Sequence, residues 1–235
     1  MQEIVNNVAA IRARMAEAAR EAGRDPAEIT LCAASKMNDA QRVRAAVEAG
    51  VDCCGENRVQ ELVQKLPQGA YDGVPIHFIG HLQTNKVRQV VGVVDLIQSV
   101  DRLELLQCIE KEAAKKGLVQ DILLEVNVGG EESKSGVRPD QVEELARKAA
   151  ALPHVRLRGL MAIPPVAHVT GENQPYFAAM YQLFVDIKEK LDDNKTVIDC
   201  LSMGMSGDYP DAVRAGATLV RVGTALFGPR PPLHP

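Results

Sequence analysis

The sequence predicts an α/β protein, namely a single (β/α)8 (TIM) barrel with an extra helix at its N-terminus. Short apolar segments alternate with helical patterns throughout the chain, which is typical of a parallel sheet covered by helices. Eight strand candidates fit a closed barrel better than an open doubly wound sheet, and no Gly-x-Gly-x-x-Gly motif follows the first strand. Since no linker or charge block divides the chain, we expect residues 1–235 to form one domain.

The strand candidates are apolar runs without polar alternation, as expected for strands buried on both faces. They are Ile29–Lys36, Val51–Gly55, Ile76–Gly80, Leu96–Val100, Ile122–Val128, Leu157–Ile163, Cys200–Met205 and Leu219–Phe227. Helical patterns lie between them, at Gln41–Ala49, Arg58–Leu66, Thr84–Val91, Asp101–Lys116, Pro139–Leu152, Pro175–Leu191 and Asp208–Ala215. No helix follows the eighth strand, and we expect the amphipathic segment Glu3–Ala22 to cover that gap. The proline-rich C-terminal tail is expected to fray.

Composition excludes several classes of protein. The net charge is -4 and only 3% of the residues are aromatic, which disfavours nucleic-acid binding and base stacking. No apolar run approaches the roughly 20 residues of a membrane helix, and the charged N-terminus differs from a signal peptide. Five scattered cysteines fit a reducing compartment. We therefore expect a cytoplasmic protein without a membrane partner, and a monomer, because the periodicity reveals no exposed apolar patch.

Lys36 ends the first strand, which reads ITLCAASK. At the carboxyl end of an inner strand, low polarity lowers the pKa of a lysine, and a neutral amine can attack a carbonyl group. Alternatively, the side chain extends past the strand into solvent. This segment by itself favours the solvent-exposed alternative.

The ends of the seventh and eighth strands are rich in small residues. In (β/α)8 barrels, chemistry takes place at the carboxyl ends of the strands, and phosphate groups often bind after the last two. The segment SMGMSGD and the turn at Gly223-Thr224 lie at those positions. Their backbone N–H groups, together with the Ser206 hydroxyl, are expected to bind an anion. The alternative is that the glycines only permit tight packing.

Arg221 is unusual because it lies inside an apolar strand. A charge buried in a strand is unfavourable unless it has a partner. Arg221 precedes Gly223 by two residues and should share its face. The side chain therefore either points inward to meet an acceptor atom of a ligand, or points outward between the helices.

His77 and His81 are four residues apart, which suggests a metal site. On a strand, however, that spacing is too long for one ion, and no thiol or carboxylate completes the ligand set in the sequence. We therefore expect no metal site.

Four glutamates are candidates for acid–base pairs: Glu56, Glu125, Glu131 and Glu132. Their spacing singles out none of them, and Glu131 and Glu132 are expected to be solvated loop carboxylates. No catalytic residue is predicted from this pattern.

Six blocks of the sequence together resemble the pyridoxal 5′-phosphate (PLP) homeostasis protein family. They are ITLCAASK, CGENRVQEL, HFIGHLQTNK, EVNVGGEESKSGV, RGLMAIP and LSMGMSGDYPDAVRAGATLVRVGTALFG. The resemblance covers nearly the whole chain, in order. It implies a single (β/α)8 barrel related to the barrel domain of alanine racemase, without that enzyme's second domain. It also implies covalent binding of PLP and no established catalytic activity.

The resemblance implies roles for individual residues. Lys36 matches the lysine that forms a Schiff base with PLP, and Arg221 matches the arginine that faces the pyridine nitrogen. An arginine there disfavours protonation of the ring, which makes the ring a weaker electron sink. The other matching positions are Ser206, Gly223 and Thr224 for the phosphate, and Asn57 and Met203 in blocks that line the cofactor.

The sequence also departs from the family pattern. Asn38 stands where relatives have a second lysine that can assist cofactor exchange. Arg58 replaces a tyrosine, and Ile76 replaces a tryptophan that precedes the histidine. These differences affect the expected details of cofactor transfer and leave the expectation of binding unchanged.

Three functions are compatible with these residues. The favoured one is a binding protein that holds PLP on Lys36 and buffers it or delivers it to apo forms of PLP enzymes. The first alternative is an amino-acid racemase or decarboxylase. Racemisation needs a base on each face of the substrate carbon, and the second base would come from a missing domain or a residue such as His81. The second alternative is a Schiff-base aldolase acting on sugar phosphates.

Overall fold

A computed structural model of the protein describes residues 1–131, 134–167, 169–191 and 197–229. The strands are β1 (Thr30–Ala34), β2 (Cys53–Glu56), β3 (Ile76–Phe78), β4 (Leu96–Val100), β5 (Gln120–Val126), β6 (Val155–Ala162), β7 (Cys200–Ser202) and β8 (Leu219–Val222). They are parallel and pair in sequence order, and β8 pairs back with β1 to close the barrel. The predicted (β/α)8 fold is therefore confirmed.

Helices surround the barrel. The α-helices are α1 (Gln2–Glu21), α2 (Ala40–Glu48), α3 (Val59–Lys65), α4 (Leu103–Lys116), α5 (Val142–Ala150), α6 (Gln174–Lys190), α7 (Tyr209–Arg214) and α8 (Thr224–Phe227). Short 3-10 helices lie at Pro26–Glu28, Leu66–Gln68, Thr84–Gln89 and Pro139–Gln141. Across the described part of the chain, none of the helices has the length and apolar character needed to span a bilayer.

The structure corrects two predicted elements. The predicted strand Leu219–Phe227 ends at Val222, and its second half forms α8, because the backbone turns at Gly223. The predicted helix Thr84–Val91 is a 3-10 helix that buries only Val87 among its own residues. One buried side chain gives too small an apolar face to stabilise a regular α-helix. The end of the proline-rich tail, from residue 230, lies outside the described residues.

Side chains along the strands alternate between the barrel interior and the helix layer. Along β1, Leu31 and Ala33 belong to the large apolar core under the helices, whereas Cys32 faces the interior. The interior contains two small apolar clusters, one of Cys32, Cys53 and Leu219 and another of Leu96, Leu123 and Met161. Buried polar residues on neighbouring strands include His77, Gln98, Ser202 and Arg221.

The expectation that no helix follows the eighth strand is wrong, because the four-residue helix α8 follows β8, but α1 packs beside it and covers the rest of the gap as predicted. Helix α1 packs against α2, α7 and α8, and it buries Ile4, Val8, Ile11 and Met15. At its start, Asn7 Nδ2 donates a hydrogen bond to a carbonyl oxygen of α8 over 2.9 Å. The N-terminal helix therefore completes the outer layer of the barrel.

A β-bulge in β6 changes which of its side chains face the helix layer. The pairing with β5 slips by one residue after Leu157, which leaves Arg158 as the extra residue. Leu157 and Leu160, three positions apart, consequently both pack in the outer core. At the bulge, Gly159 adopts φ 146 and its Cα lies against the backbone of Cys200. Only glycine fits this close approach.

We expect Gly159→Ala to lower the free energy of unfolding by about 2 kcal/mol or more, because a Cβ would overlap the Cys200 carbonyl in a disfavoured conformation. Urea denaturation measures this loss. The control is Gly207→Ala, where a Cβ meets no atom within 4 Å. An equal loss in the two variants would show that the bulge imposes no such constraint.

Candidate ligand-binding site

A cavity of about 360 Å³ opens at the carboxyl ends of β1 and β8. Lys36 lines it from one side, and Gly223 and Thr224 line it from the other. Its volume lies within the range of small-molecule pockets. Three residues of the predicted site thus meet in one cavity, although nearly the whole chain separates them. The rest of its lining comprises Ala34, Met37, Asn38, Asp39, Arg42, Phe227, Gly228 and Pro229.

Lys36 is half-buried and follows the end of β1 in a constrained segment. The next residue, Met37, adopts a left-handed conformation with φ 62. The Met37 N–H donates to Glu61 Oε2 over 2.7 Å, and Asn38 Nδ2 donates to the Lys36 carbonyl over 3.1 Å. The backbone around Lys36 is therefore held in one orientation, and the side chain borders the cavity.

A buried ion pair supports this segment from behind. Lys65 Nζ donates to Glu56 Oε1 over 2.8 Å, to Glu61 Oε2 over 3.1 Å and to the Ser35 carbonyl over 3.0 Å. The Tyr71 hydroxyl donates to the same Glu56 oxygen over 2.8 Å. Burial and the Glu56 charge raise the pKa of Tyr71, so its hydroxyl remains a donor. These bonds compensate for burying the charges and fix the residue before Lys36.

The contacts of Lys65 and Tyr71 with Glu56 were not predicted from the sequence. Lys65 follows Glu61 by four residues on α3, a spacing that usually marks an exposed helix pair. A signal was nevertheless present, because Val59, Leu62 and Lys65 share the buried face of the helix. A lysine on an apolar helix face needs a buried acceptor.

The predicted phosphate-binding turns after β7 and β8 meet at one atom. Ser206 Oγ accepts hydrogen bonds from the N–H of Gly223 over 3.1 Å and of Ala225 over 3.2 Å. Asp208 holds the Ser206 turn by accepting a hydrogen bond from Met205 N–H over 2.7 Å. Two backbone N–H groups therefore converge on Ser206 Oγ at a turn whose Gly223 lines the cavity.

Arg221 points into the barrel, as one of the two alternatives predicted. It is 4% exposed, and its guanidinium donates to Ser202 Oγ and to the Ala162 carbonyl. Burial lowers the pKa of Arg221, whereas neighbouring groups that include Glu125 and Asp208 raise it. The guanidinium thus lies below the carboxyl ends of the strands with acceptors on several sides.

The four glutamates differ in environment. Glu56 is in the buried ion pair, and Glu131 lies in a loop beside Lys134. Glu132 lies outside the described residues. Glu125 is buried, and this burial, reinforced by Asp101 and opposed by Arg221, raises its pKa to about 7. The charge of Glu125 therefore changes near neutral pH.

Four predicted cofactor residues are not part of the lining of the Lys36 cavity, namely Ser206, Arg221, Asn57 and Met203. Asn57 borders a smaller neighbouring cavity together with His81, and its Oδ1 is buried without a hydrogen-bond partner. Met203 is fully buried in the core under the helices, since Ser202 before it faces the barrel interior. Their contact with a cofactor remains a prediction.

The two histidines lie in different environments. His81 is at the carboxyl end of the barrel, where its Nδ1 is 3.6 Å from an Asp101 oxygen. We expected no thiol to complete a metal-ligand set, and this expectation is wrong for His77, which lies beside Cys32 and Cys53. A hydrogen bond from Cys53, assisted by His77 and Arg221, lowers the pKa of Cys32 to about 6 despite its burial. This cluster could not be predicted from spacing along the chain, because its members come from three different strands.

Residues 6–231 of the sequence match the family described as alanine racemase, N-terminal domain. The closed barrel, with its lysine after β1, thus defines a protein of the alanine racemase-like barrel class.

Within this class, the chain belongs to the pyridoxal phosphate homeostasis protein family. It is 43% identical over 230 residues to the pyridoxal phosphate homeostasis protein of Pseudomonas aeruginosa, covering 98% of this chain and 97% of the relative. It is 42% identical over 217 residues to the protein of the same name from Aquifex aeolicus, covering 92% and 94%. The family resemblance drawn from the sequence blocks is confirmed.

Solved structures show the same architecture. PipY of Synechococcus elongatus, determined with PLP bound, has a TM-score of 0.83 and 32% identity, covering 96% of this chain and 100% of that chain. Alanine racemase of Streptomyces lavendulae has a TM-score of 0.71 at 18% identity, covering 96% of this chain and 56% of that one. This second likeness concerns the fold alone.

We expect Glu125→Gln to remove a pH dependence of stability. In the folded protein the pKa of Glu125 is about 7 instead of 4.5. The folded state favours the protonated carboxyl group. Its contribution to the free energy of unfolding is therefore fully present below pH 4.5 and is lost as the pH rises through about 7. Since one pKa unit corresponds to about 1.4 kcal/mol, the variant should gain up to about 3 kcal/mol over the wild type above neutral pH.

Urea denaturation between pH 4 and pH 8 measures this effect. The control is Glu17→Gln on the exposed face of α1, which should follow the wild-type profile. Parallel profiles for the wild type and Glu125→Gln would contradict the raised pKa.

Proposed function

We propose that this protein binds pyridoxal 5′-phosphate as a Schiff base on Lys36 and acts in PLP homeostasis, by buffering the cofactor or delivering it to apo enzymes. The observation that carries this proposal is the shared cavity of Lys36, Gly223 and Thr224. The names of the relatives and the PLP-bound structure of PipY support the choice of cofactor.

The described residues fit the chemical groups of PLP. The N–H groups of Gly223 and Ala225, which converge on Ser206 Oγ, suit a phosphate. Lys36 Nζ supplies the amine that condenses with the aldehyde and releases water. The Arg221 guanidinium, a donor that points into the barrel, suits an unprotonated pyridine nitrogen. PLP supplies an electron-withdrawing ring when bound, and this arginine keeps that ring a weak electron sink.

Lys36→Arg tests the covalent link, because it keeps the positive charge but cannot form an imine. We expect borohydride reduction of the PLP-loaded wild type to add the mass of one pyridoxyl phosphate to the peptide that contains Lys36. The variant should gain none, whereas Lys111→Ala on the exposed face of α4 should react like the wild type. Modification of another lysine in the wild type would contradict the assignment, and a sugar-derived mass would favour the aldolase alternative.

Ser206→Ala combined with Thr224→Ala tests the phosphate-binding turns. Charge-assisted hydrogen bonds contribute roughly 1.5–3 kcal/mol each, so PLP binding should weaken at least about tenfold, or ~1.4 kcal/mol. Equilibrium titration with PLP and with unphosphorylated pyridoxal measures the change, and Thr170→Ala on an exposed turn is the control. Equal affinity of the wild type for the two ligands would show that these turns bind no phosphate.

Delivery and catalysis are distinguished by two further measurements. Reactivation of an apo PLP enzyme by the loaded protein, faster than by the same amount of free PLP, supports delivery. Deuterium exchange at the α-carbon of added amino acids, at ordinary enzyme turnover, would instead favour the racemase alternative. The proposed compartment is the cytoplasm, which the free state of all five cysteines suits.

A further inference from the structure

Two cysteines and a histidine, residue types that commonly bind metals, cluster in the barrel interior, away from the Lys36 cavity. Cys32 comes from β1, Cys53 from β2 and His77 from β3, three consecutive strands. Cys32 and Cys53 are direct partners in the strand register. All three side chains face inward, so the closure of the barrel brings together residues that no short motif connects.

The geometry of this cluster suits one metal ion. The two sulfurs and a ring nitrogen all lie within 4.8 Å of one another, and Cys53 Sγ is 3.6 Å from His77 Nδ1. Zinc bonds of about 2.3 Å to sulfur and about 2.0–2.1 Å to nitrogen, at a tetrahedral angle, place these atoms about 3.6 Å apart. The side chains are 0%, 1% and 8% exposed, so ligands are held by packing.

A hydrogen bond from Gln98 sets the protonation of the His77 ring nitrogen that faces the cluster. Ser202 Oγ donates to Gln98 Oε1 over 2.7 Å, so the amide presents its NH2 group, and Nε2 donates to His77 Nδ1 over 2.9 Å. Nδ1 therefore carries a lone pair instead of a proton, which is the form that binds a metal. An ion would take over that lone pair from the amide.

An opening of about 420 Å³ at the amino ends of the strands reaches Cys53 and His77. Its lining contains five carboxylates and one residue with a permanent positive charge, Arg158. Arg12 and Arg156 pair with two of these carboxylates from outside the lining, and the remaining acidic excess favours the entry of cations. The carboxylates are Glu28, Asp52, Asp95, Asp121 and Asp199.

We propose that Cys32, Cys53 and His77 form a site for Zn²⁺, with the fourth coordination position open to water from the acidic opening. Two thiolates and one imidazole select a thiophilic ion over Mg²⁺ or Ca²⁺. Binding forms two Zn–S bonds and one Zn–N bond, and the thiols release their protons to solvent through the opening. No electron is transferred, so neither an oxidant nor a reductant is required.

Spectroscopy of the cobalt-substituted protein tests the ligand set. Reduced protein, freed of metal by a chelator, should bind one Co²⁺ per chain with a thiolate-to-cobalt charge-transfer band and tetrahedral d–d bands. Zn²⁺ should displace the cobalt and abolish the bands. Absence of the charge-transfer band in the folded wild type would overturn the proposal, since it would show that the thiols bind no metal.

Variants identify the residues. Zn²⁺ affinity, measured by competition with a chromophoric chelator, should fall at least about 100-fold in Cys32→Ser, Cys53→Ser and His77→Gln, since losing even an outer partner of a ligand costs 10–100-fold. Cys108→Ser removes a thiol that lies outside the cluster and its opening and should leave the Zn²⁺ affinity unchanged. Circular dichroism of each variant verifies that it is folded.

Two further outcomes would also overturn the proposal. One is wild-type affinity in a folded Cys32→Ser or His77→Gln variant, which would indicate adventitious binding elsewhere. The other is rapid formation of a Cys32–Cys53 disulfide in air that excess Zn²⁺ does not slow, because a bound ion would occupy both sulfurs. Slow oxidation in the presence of Zn²⁺, with the Lys36 cavity still able to bind PLP, supports a separate site.

Discussion

The structure depends on accommodating one guanidinium charge inside a closed barrel. A buried charge is strongly unfavourable unless hydrogen bonds replace its water. Arg221 donates to Ser202, Ser202 donates to Gln98, and Gln98 donates to His77. Each hydroxyl or amide in this line accepts at one end and donates at the other. These four interior side chains therefore form one connected line, which extends from the proposed cofactor site to the opposite half of the barrel.

Lys36, on which we propose the Schiff base, is supported by a second group of interactions. A strand end is normally the mobile part of a barrel, because loops follow it. Here the segment of Lys36 is tied to Glu61, and Glu61 and Glu56 share the ammonium group of Lys65. Rigid positioning of the amine reduces the entropy lost when it forms a covalent bond. The same rigidity fits a protein that holds a cofactor reversibly.

Much of the fold was predictable because each strand is encoded by a local apolar run. The positions of Lys36, Ser206 and Arg221 were predictable for a related reason, since they stand at strand ends or interrupt a strand. The thiol and imidazole cluster was not, because it depends on which residues of separate strands lie level after barrel closure. Lys65 was overlooked because its spacing from Glu61 equally fits an exposed helix pair.

The place of α1 in the outer layer affects how the chain folds during synthesis. This helix is synthesised before α7 and α8, yet it packs against both, and Asn7 bonds to Leu226 across 219 positions of sequence. Chains are made from the N-terminus, and contacts between distant residues form late. The face of α1 that packs against α7 and α8 therefore remains uncovered until those helices have been synthesised. Barrel closure follows the synthesis of β8, and before it this apolar surface is exposed to aggregation.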